Sequence, residues 1–182
     1  MELPEELKEE RDVLVAMIYE AFDGVTREGG ISWSQADAID DYCSDDEIRE
    51  AGKKDSEHRW QDLVGKEMFD DVKSNWSFLD AIGFRYYLAP AMIDCLKGGD
   101  GGCVEYHLVL GTEFPWWPRE EHLDKFTLDK WSRIDARQSV VVAQFLAFMF
   151  KWESDVCEED WMVTEEWKRA LDSYWSKFLD SE

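Results

Sequence analysis

Apolar residues recur along most of the chain at three- and four-residue steps, the spacing that places side chains on one face of an α-helix. The longest such segment covers residues 135–152. One face carries Val141, Val142, Phe145, Phe148, Met149 and Trp152, and the other carries Val140, Leu146, Ala147 and Phe150. A helix that is apolar on all sides is normally surrounded by other helices. The segment is therefore predicted to be the central helix of the fold.

The same spacing predicts helices at both ends of the chain. Residues 5–22 form the first, and the last begins near Thr164 after an acidic connector over residues 153–163. The stripe of the last helix comprises Trp167, Ala170, Leu171, Tyr174, Trp175, Phe178 and Leu179. The central helix has its own start signal, because Asp135 and Gln138 have the chemistry of an N-cap residue and its N3 partner.

Shorter elements are predicted between these helices. A short helix follows Ser32 or Ser34 with Ala36, Ile39 and Tyr42 facing inward, and a capping box at Ser44 and Glu47 opens a polar helix that ends near Gly52. A long helix is predicted over residues 58–72.

Helical spacing continues from residue 80 to residue 96 with Asp80 as its N-cap, and Pro90 is expected to kink this helix. Residues 97–102 (KGGDGG) are predicted to be a flexible loop. Residues 104–110 alternate like a strand, but a lone strand has no partner, so a short helix or turn is favoured.

These elements predict an all-α fold, an irregular single-domain bundle of five to seven helices over residues 1–182. An apolar content of 45% excludes a disordered chain. With only 4 Pro and 11 Gly, the chain lacks the turn residues that an all-β fold needs repeatedly.

The net charge of −22 limits the classes of partner that the protein can bind. A chain this acidic repels nucleic acid and anionic lipid, so neither is expected as a partner. The first residues have no signal-peptide pattern, and the longest uncharged apolar-rich run is too short to cross a bilayer. A cytoplasmic protein with four free cysteines is expected, although oxidation can pair Cys95 with Cys103 across the glycine loop.

Motifs of known chemistry are missing from the sequence. His58, His107 and His122 are far apart, the acidic run near residue 45 is not an EF-hand, and there is no GxSxG. We therefore predict no cofactor, no metal and no catalytic residue, and the chain is interpreted as non-enzymatic.

The candidate binding residues come from two acidic regions and from tryptophans in predicted connectors. Residues 37–57 hold nine acidic and three basic residues, and residues 153–182 hold ten and three. Tryptophans in predicted connectors beside acids have the composition of a binding hot spot. The candidates for partner binding are Asp40, Asp41, Asp45, Asp46, Trp116, Trp117, Glu158, Glu159, Asp160 and Trp161. The alternative is that the acids only solubilise the domain and the tryptophans pack within their loops.

Three functions are consistent with this pattern. The first is an acidic binding protein of the immunity or inhibitor type, which neutralises a basic partner protein. The second is a small-ligand protein or enzyme with a pocket between the kinked helix of residues 80–96 and the central helix, where Arg85, Tyr86 and Tyr87 supply polar groups. The third is a self-associating structural protein.

Several motifs resemble those of one protein family. They are GISWSQADAIDDYCSDDE, the mid-chain FLDAIGFRYYLAPAM with its YYL-A-PA core, the Ile134-Asp135-x-x-Gln138 helix start that leads into FLAF, and the terminal A-L-x-x-Y-W. The chain resembles a family of small bacterial proteins with a domain of unknown function, over about two-thirds of its length. The resemblance implies a bacterial, intracellular origin and no particular activity.

Overall fold

The computed structural model describes residues 5–69, 75–113, 120–156 and 161–179, without the side chains of residues 155, 156 and 161–164. These parts of the chain contain eight α-helices and no β-strand. In chain order the helices are α1 (Glu5–Ala21), α2 (Trp33–Asp40), α3 (Asp45–Ala51), α4 (Asn75–Phe78), α5 (Ala81–Leu96), α6 (Glu121–Trp131), α7 (Ala136–Val156) and α8 (Trp161–Ser173). The predicted all-α class is confirmed.

Short 3₁₀-helical turns connect or extend these helices. They cover Gly52–Lys54, Trp60–Leu63, Val104–His107, Gly111–Glu113 and Trp175–Phe178. The turn at Val104–His107 confirms that the alternating segment after the glycine loop is not a strand.

Helix starts follow the predicted capping chemistry. The Ser32 hydroxyl accepts from the backbone N–H of Gln35, and Ser44 and Glu47 form the same reciprocal capping box. Asp80 Oδ1 accepts from Gly83 N at 2.8 Å, so α5 begins where its cap was predicted.

The segments of the chain form two compact units, each described here by itself. The first unit consists of residues 1–23, 108–127 and 134–182. Within it α7 contacts both α1 and α8. Phe145 of α7 is fully buried, and its ring meets the Trp167 ring of α8 edge-on at 5.6 Å.

The start of α7 is tied to the end of α1. Asp135 Oδ1 accepts from Gln138 N at 2.9 Å, and Gln138 Oε1 accepts from Asp135 N at 3.2 Å. The buried Gln138 also donates from Nε2 to the carbonyl of Ala21, the last residue of α1, at 3.0 Å. One glutamine therefore caps two helices.

The second unit consists of residues 24–107 and 128–133. Its longest helix, α5, continues through Pro90 without a break, and the kink expected there stays a prediction. Trp33 lies at the centre of an aromatic cluster, with its ring 5.2 Å from those of Phe69 and Trp76 and 5.3 Å from that of Tyr87. Phe69, Trp76 and Tyr87 are among the largest fully buried side chains of the described residues.

Whether the whole chain is one domain, as predicted, stays a prediction. Within the described ranges no helix is both long enough and apolar enough to pass through a bilayer. Residues 97–103 form turns with left-handed backbone at Gly98, Gly101, Gly102 and Cys103, and the flexibility predicted for this loop also stays a prediction.

The long helix predicted over residues 58–72 is wrong where the chain is described, up to residue 69. Only the turn Trp60–Leu63 is helical there. Arg59 before it is extended, and Gly65 after it has a φ of +80°. Trp60 and Leu63 are three residues apart and both are buried, so a single 3₁₀ turn is enough to bring them to the same side. Their spacing had suggested a long helix.

The ends of three other helices also differ from the predictions by a few residues. The last helix, α8, begins at Trp161 and not near Thr164, and α7 extends to Val156 into the predicted acidic connector. Tyr42, predicted to face inward, is 95% exposed because α2 ends at Asp40. The pattern did not predict α6, whose Phe126 and Leu128 are exposed and whose only buried residues are Lys130 and Trp131.

Candidate functional site: an acidic groove on helices α2 and α3

The predicted acidic residues of the first region lie on two consecutive short helices. Asp40 is the last residue of α2 and Asp41 is its C-cap, while Asp45 and Asp46 form the first turn of α3. Only the segment from Asp41 to Ser44 separates the two helices, so all four carboxylates are held close to one turn. Asp41, Asp45 and Asp46 are exposed, and Asp40 is half-buried.

A groove of about 580 Å³ opens between these helices. Five carboxylates line it, against the single ammonium group of Lys54. The lining carboxylates are those of Asp37, Asp41, Asp46, Glu47 and Glu50. The groove therefore has a strongly negative character within an already acidic protein, and it contains two of the predicted partner-binding residues.

Capping keeps one of these carboxylates ionised. Glu47 Oε2 accepts from Ser44 N at 2.8 Å and from the Ser44 hydroxyl at 2.7 Å. These hydrogen bonds lower the pKa of Glu47 below its usual value. Two others have cationic neighbours along α3, because Asp46 pairs with Arg49 at 2.7 Å and Glu50 pairs with Lys53. Both pairs are exposed and are therefore weak enough for a partner's cation to exchange with them.

The base of the groove is fixed by hydrogen bonds. Ser34, which lines it, donates from its backbone N and its hydroxyl to the Asp55 carboxylate at 2.8 and 2.9 Å. The Asp55 carbonyl in turn accepts from Arg27 Nη2 at 2.9 Å. The acidic side chains thus stand on a backbone that is held by polar contacts from three segments.

Tyr42 lies in the turn beside the groove and was not among the predicted site residues. Tyr42 N donates to the Ile39 carbonyl at 3.1 Å and Cys43 N donates to the Ala38 carbonyl at 3.0 Å, which is the Schellman pattern of a helix end. In that pattern Tyr42 occupies the left-handed position that usually holds glycine, with a φ of 56°. A fully exposed ring therefore stands on a backbone conformation that costs free energy.

One sequence signal could have corrected the inward position predicted for Tyr42. Ser44 had been identified as an N-cap, and a preceding helix must end before the residues that lead into a cap. Tyr42 therefore belonged to the turn, although the three-residue spacing from Ala36 and Ile39 favoured the helix interior.

The remaining predicted site residues are not brought together by the described structure. Trp116, Trp117, Glu158, Glu159 and Asp160 lie outside the described residues. Trp161 is the first residue of α8, and its side chain is not described. Their role in partner binding stays a prediction.

The polar residues predicted for a ligand pocket on the helix of residues 80–96 have three different surroundings. The Tyr87 hydroxyl accepts from Trp33 N at 2.9 Å and from Arg27 Nη1 at 2.8 Å, and it donates to Glu57 Oε1 at 3.3 Å. Tyr87 is completely buried, and burial raises its pKa. Tyr86 is buried beside a surface cavity, and Arg85 is half-buried. The role of the Tyr87 hydroxyl is therefore structural, because all its hydrogen bonds are made to other parts of the chain.

Histidine and cysteine side chains do not form a metal centre in the described ranges, where no group of three or more His, Cys, Asp or Glu residues is suitably placed. His107 stacks on Trp76 at 6.1 Å, and burial together with the Lys130 charge lowers its pKa to about 3. Cys43, Cys95 and Cys103 are free thiols, so the structure has no bond between Cys95 and Cys103. Burial raises the pKa of both Cys95 and Cys103, which makes them poor nucleophiles.

The fold and this groove define a helical protein with an acidic surface site. Residues 10–179 match the family described as a family of unknown function, DUF6714, and the chain belongs to that family. The match confirms the resemblance that the sequence motifs indicated. No curated protein and no solved structure matches the chain.

Proposed function

We propose that this protein is a non-catalytic binding protein that holds a basic partner protein against the α2–α3 groove. The observation that carries this proposal is the groove itself, an open concavity lined by five carboxylates and one lysine. In the predicted role, that of an immunity or inhibitor protein, the groove covers cationic side chains of the partner and so blocks its activity.

The chemistry of the groove favours arginine over lysine as the contacting side chain. Adjacent carboxylates match the planar fork of a guanidinium group, which forms paired hydrogen bonds to carboxylates. Tyr42 has an exposed ring and lies in the chain between two residues that line the groove, Asp41 and Cys43, so its ring is available to the flat face of the same group. The backbone of Tyr42 is strained although its ring is exposed, and strained backbone is found more often at binding sites than elsewhere.

Electrostatic steering makes association fast and strongly dependent on salt. The net charge of −22 attracts a basic partner from a distance, whereas the groove determines where the partner docks. Both effects weaken as salt screens the charges.

The experiment separates the groove from the overall charge. A fluorescent arginine-rich peptide serves as probe, and its binding is measured by anisotropy at low and at physiological salt. Three groove carboxylates are neutralised in the variant Asp41→Asn, Asp46→Asn, Glu50→Gln. Loss of three surface ion pairs is expected to weaken binding roughly tenfold.

A matched control neutralises three exposed acids of α1 in the variant Glu5→Gln, Glu9→Gln, Asp12→Asn, which has the same net charge as the groove variant. Its affinity is expected to stay within about twofold of the unmodified protein, because only the diffuse attraction changes. Equal weakening in both variants would contradict the proposal. A pull-down at low salt from the organism that makes the protein is expected to recover a basic protein that the groove variant does not retain.

A further inference from the structure

A second cavity of about 510 Å³ lies in the same unit as the groove and differs from it in charge. It is bordered by the turn of residues 26–30, by α3 with its 3₁₀ extension, and by Tyr86 of α5. A volume of this size is typical of sites for small molecules. The cavity is therefore large enough for a ligand of several heavy atoms.

Basic side chains outnumber acidic ones in this cavity, whereas acidic residues outnumber basic ones in the whole chain. Arg27, Arg49 and Lys53 line it together with two acids, Glu28 and Glu57, in a chain with 20 basic and 42 acidic residues. Glu57 is already engaged, because its Oε1 accepts from Arg27 Nη1 at 2.5 Å and from the Tyr87 hydroxyl at 3.3 Å. Arg49 and Lys53 are held only in exposed ion pairs with Asp46 and Glu50, so an anion in the cavity can compete for their charges.

The most informative group is the hydroxyl of Tyr86. Tyr86 is 99% buried, yet it lines the cavity. Within the described ranges this hydroxyl forms no hydrogen bond, and its oxygen is open to the cavity and is not one of the fully buried polar atoms that lack a partner. The Arg27 guanidinium lies over the same ring, 5.7 Å from its centroid. A buried phenol is normally hydrogen-bonded, so a phenol that faces a cavity without a protein partner indicates a ligand or solvent acceptor.

Other donors face the same space. Arg27 commits three of its five N–H groups, to Glu57, Tyr87 and the Asp55 carbonyl, which leaves Nε and one Nη2 hydrogen uncommitted among the described residues. Gln35 accepts from Ser32 N through its Oε1, so its amide nitrogen remains a donor at the cavity wall. Gly52 permits this close packing, because a Cβ there would lie 2.8 Å from the Gln35 side chain.

We propose that this cavity binds a small anion through a carboxylate or phosphate group. The hydroxyl of Tyr86, the uncommitted N–H groups of Arg27 and the Gln35 amide donate hydrogen bonds to its oxygens. Arg49 and Lys53 at the rim supply the charge that draws the anion in. Charge-assisted hydrogen bonds from several fixed donors are the usual means of recognising such groups.

Two probes distinguish carboxylate from phosphate chemistry. Inorganic phosphate and succinate are titrated separately, at low salt, into the ¹⁵N-labelled full-length protein, and the amide signals of Gly29, Gly30 and Gly52 are followed. Saturable shifts of these signals with one probe identify the preferred group, and shifts with both identify a general oxyanion site. No saturable shift with either probe at millimolar concentration would overturn the proposal.

Variants establish which residues hold the anion. The double variant Arg49→Gln, Lys53→Gln is expected to weaken binding about tenfold, and Tyr86→Phe, which removes only the hydroxyl, is expected to have an effect of similar size. The matched control is Lys8→Gln, Arg11→Gln on α1, which removes the same charge from half-buried side chains that also have acidic neighbours. Equal weakening in the control would mean that the probes sense only overall charge, and it would also overturn the proposal.

The outcome is independent of the proposed function. Removing the positive charges of Arg49 and Lys53 leaves the groove carboxylates in place, so the arginine-rich peptide is expected to bind this variant at least as tightly as before. Loss of anion binding with peptide binding retained supports two separate sites.

Discussion

Tyr87 shows how one polar atom can hold several segments of a chain together. Its hydroxyl receives hydrogen bonds from the backbone of α2 and from Arg27, and it donates one to Glu57. These three partners lie 54, 60 and 30 residues away in sequence. A motif search identifies the tyrosine pair but not its partners, because hydrogen bonds over such distances follow no sequence spacing.

Tyr42 gives a prediction at the same scale. Its left-handed backbone costs a side chain free energy that glycine does not lose. Tyr42→Gly is therefore expected to raise the free energy of unfolding by about 1 kcal/mol, measured by denaturant titration.

The control for this experiment is Tyr42→Ala, which removes the ring but retains a Cβ at positive φ. It is expected to give no such gain in stability, while both variants bind the arginine-rich probe more weakly because both lack the ring. If glycine and alanine have the same stability, the backbone at residue 42 is not strained.

Helix starts were the most predictable elements of this chain. The capping boxes at Ser44 and at Asp135 depend on residues three apart, so the sequence contains both partners side by side. The second role of Gln138, its hydrogen bond to Ala21, depends on a residue 117 positions away. Only the first role could be read from local spacing.

The elements that were missed or misassigned lack a complete apolar stripe. In residues 58–69 the buried pair Trp60 and Leu63 imitates the beginning of a helix, but Gly65 ends the turn. Helix α6 has the opposite problem, because Phe126 and Leu128 are exposed. Its last turn is held by Lys130, and a lysine carries no apolar signal.

Lys130 provides a prediction about pH. Lys130 is 93% buried, and its ammonium group donates to the carbonyls of Trp76 and Ser77 in α4, at 2.7 and 3.3 Å. Burial lowers its pKa from 10.5 to about 8. Between these values the unfolded chain binds a proton that the folded protein has released, so the free energy of unfolding rises with pH.

The slope from this one proton is at most about 1.4 kcal/mol per pH unit. Denaturant titrations between pH 8 and pH 10 measure it, and Lys130→Met is expected to remove it. Lys125→Met on the exposed side of the same helix is the control and should retain the slope. A Lys130→Met variant with the slope of the unmodified protein would show that Lys130 stays charged when buried.

For the whole molecule, the excess of negative charge predicts an unusual response to salt. Self-repulsion among 42 acidic and 20 basic residues opposes the compact state. Raising sodium chloride from about 0.01 to about 0.1 M shortens the screening length from about 30 to about 10 Å. The melting temperature is expected to rise by a few degrees, as measured by circular dichroism.

Partner binding should weaken over the same salt range, so stability and affinity are expected to change in opposite directions. Potassium chloride at matched concentrations is the control, because screening does not depend on which monovalent cation is used. A melting temperature that falls with either salt would show that surface ion pairs outweigh the repulsion.

The all-α class was predictable because it depends on periodicity, which each helix displays by itself. The acidic groove was predictable only in part. The carboxylates of Asp41 and Asp46 were identified from composition, but the groove between α2 and α3 and the exposed ring of Tyr42 depend on how a short turn folds. For the donor cavity, only Tyr86 was named in advance as a pocket residue, because the other lining residues come from four further segments that share no sequence pattern.

The interleaved order of the two units has a consequence for synthesis on the ribosome. Residues 24–107 leave the exit tunnel before most of the unit to which α1 belongs. Gln138, which caps α1, follows Ala21 by 117 residues, a delay of roughly 6–23 s at usual rates of translation. During this interval the apolar stripe of the nascent α1 has no α7 to cover it, so it is the segment that a chaperone is expected to bind.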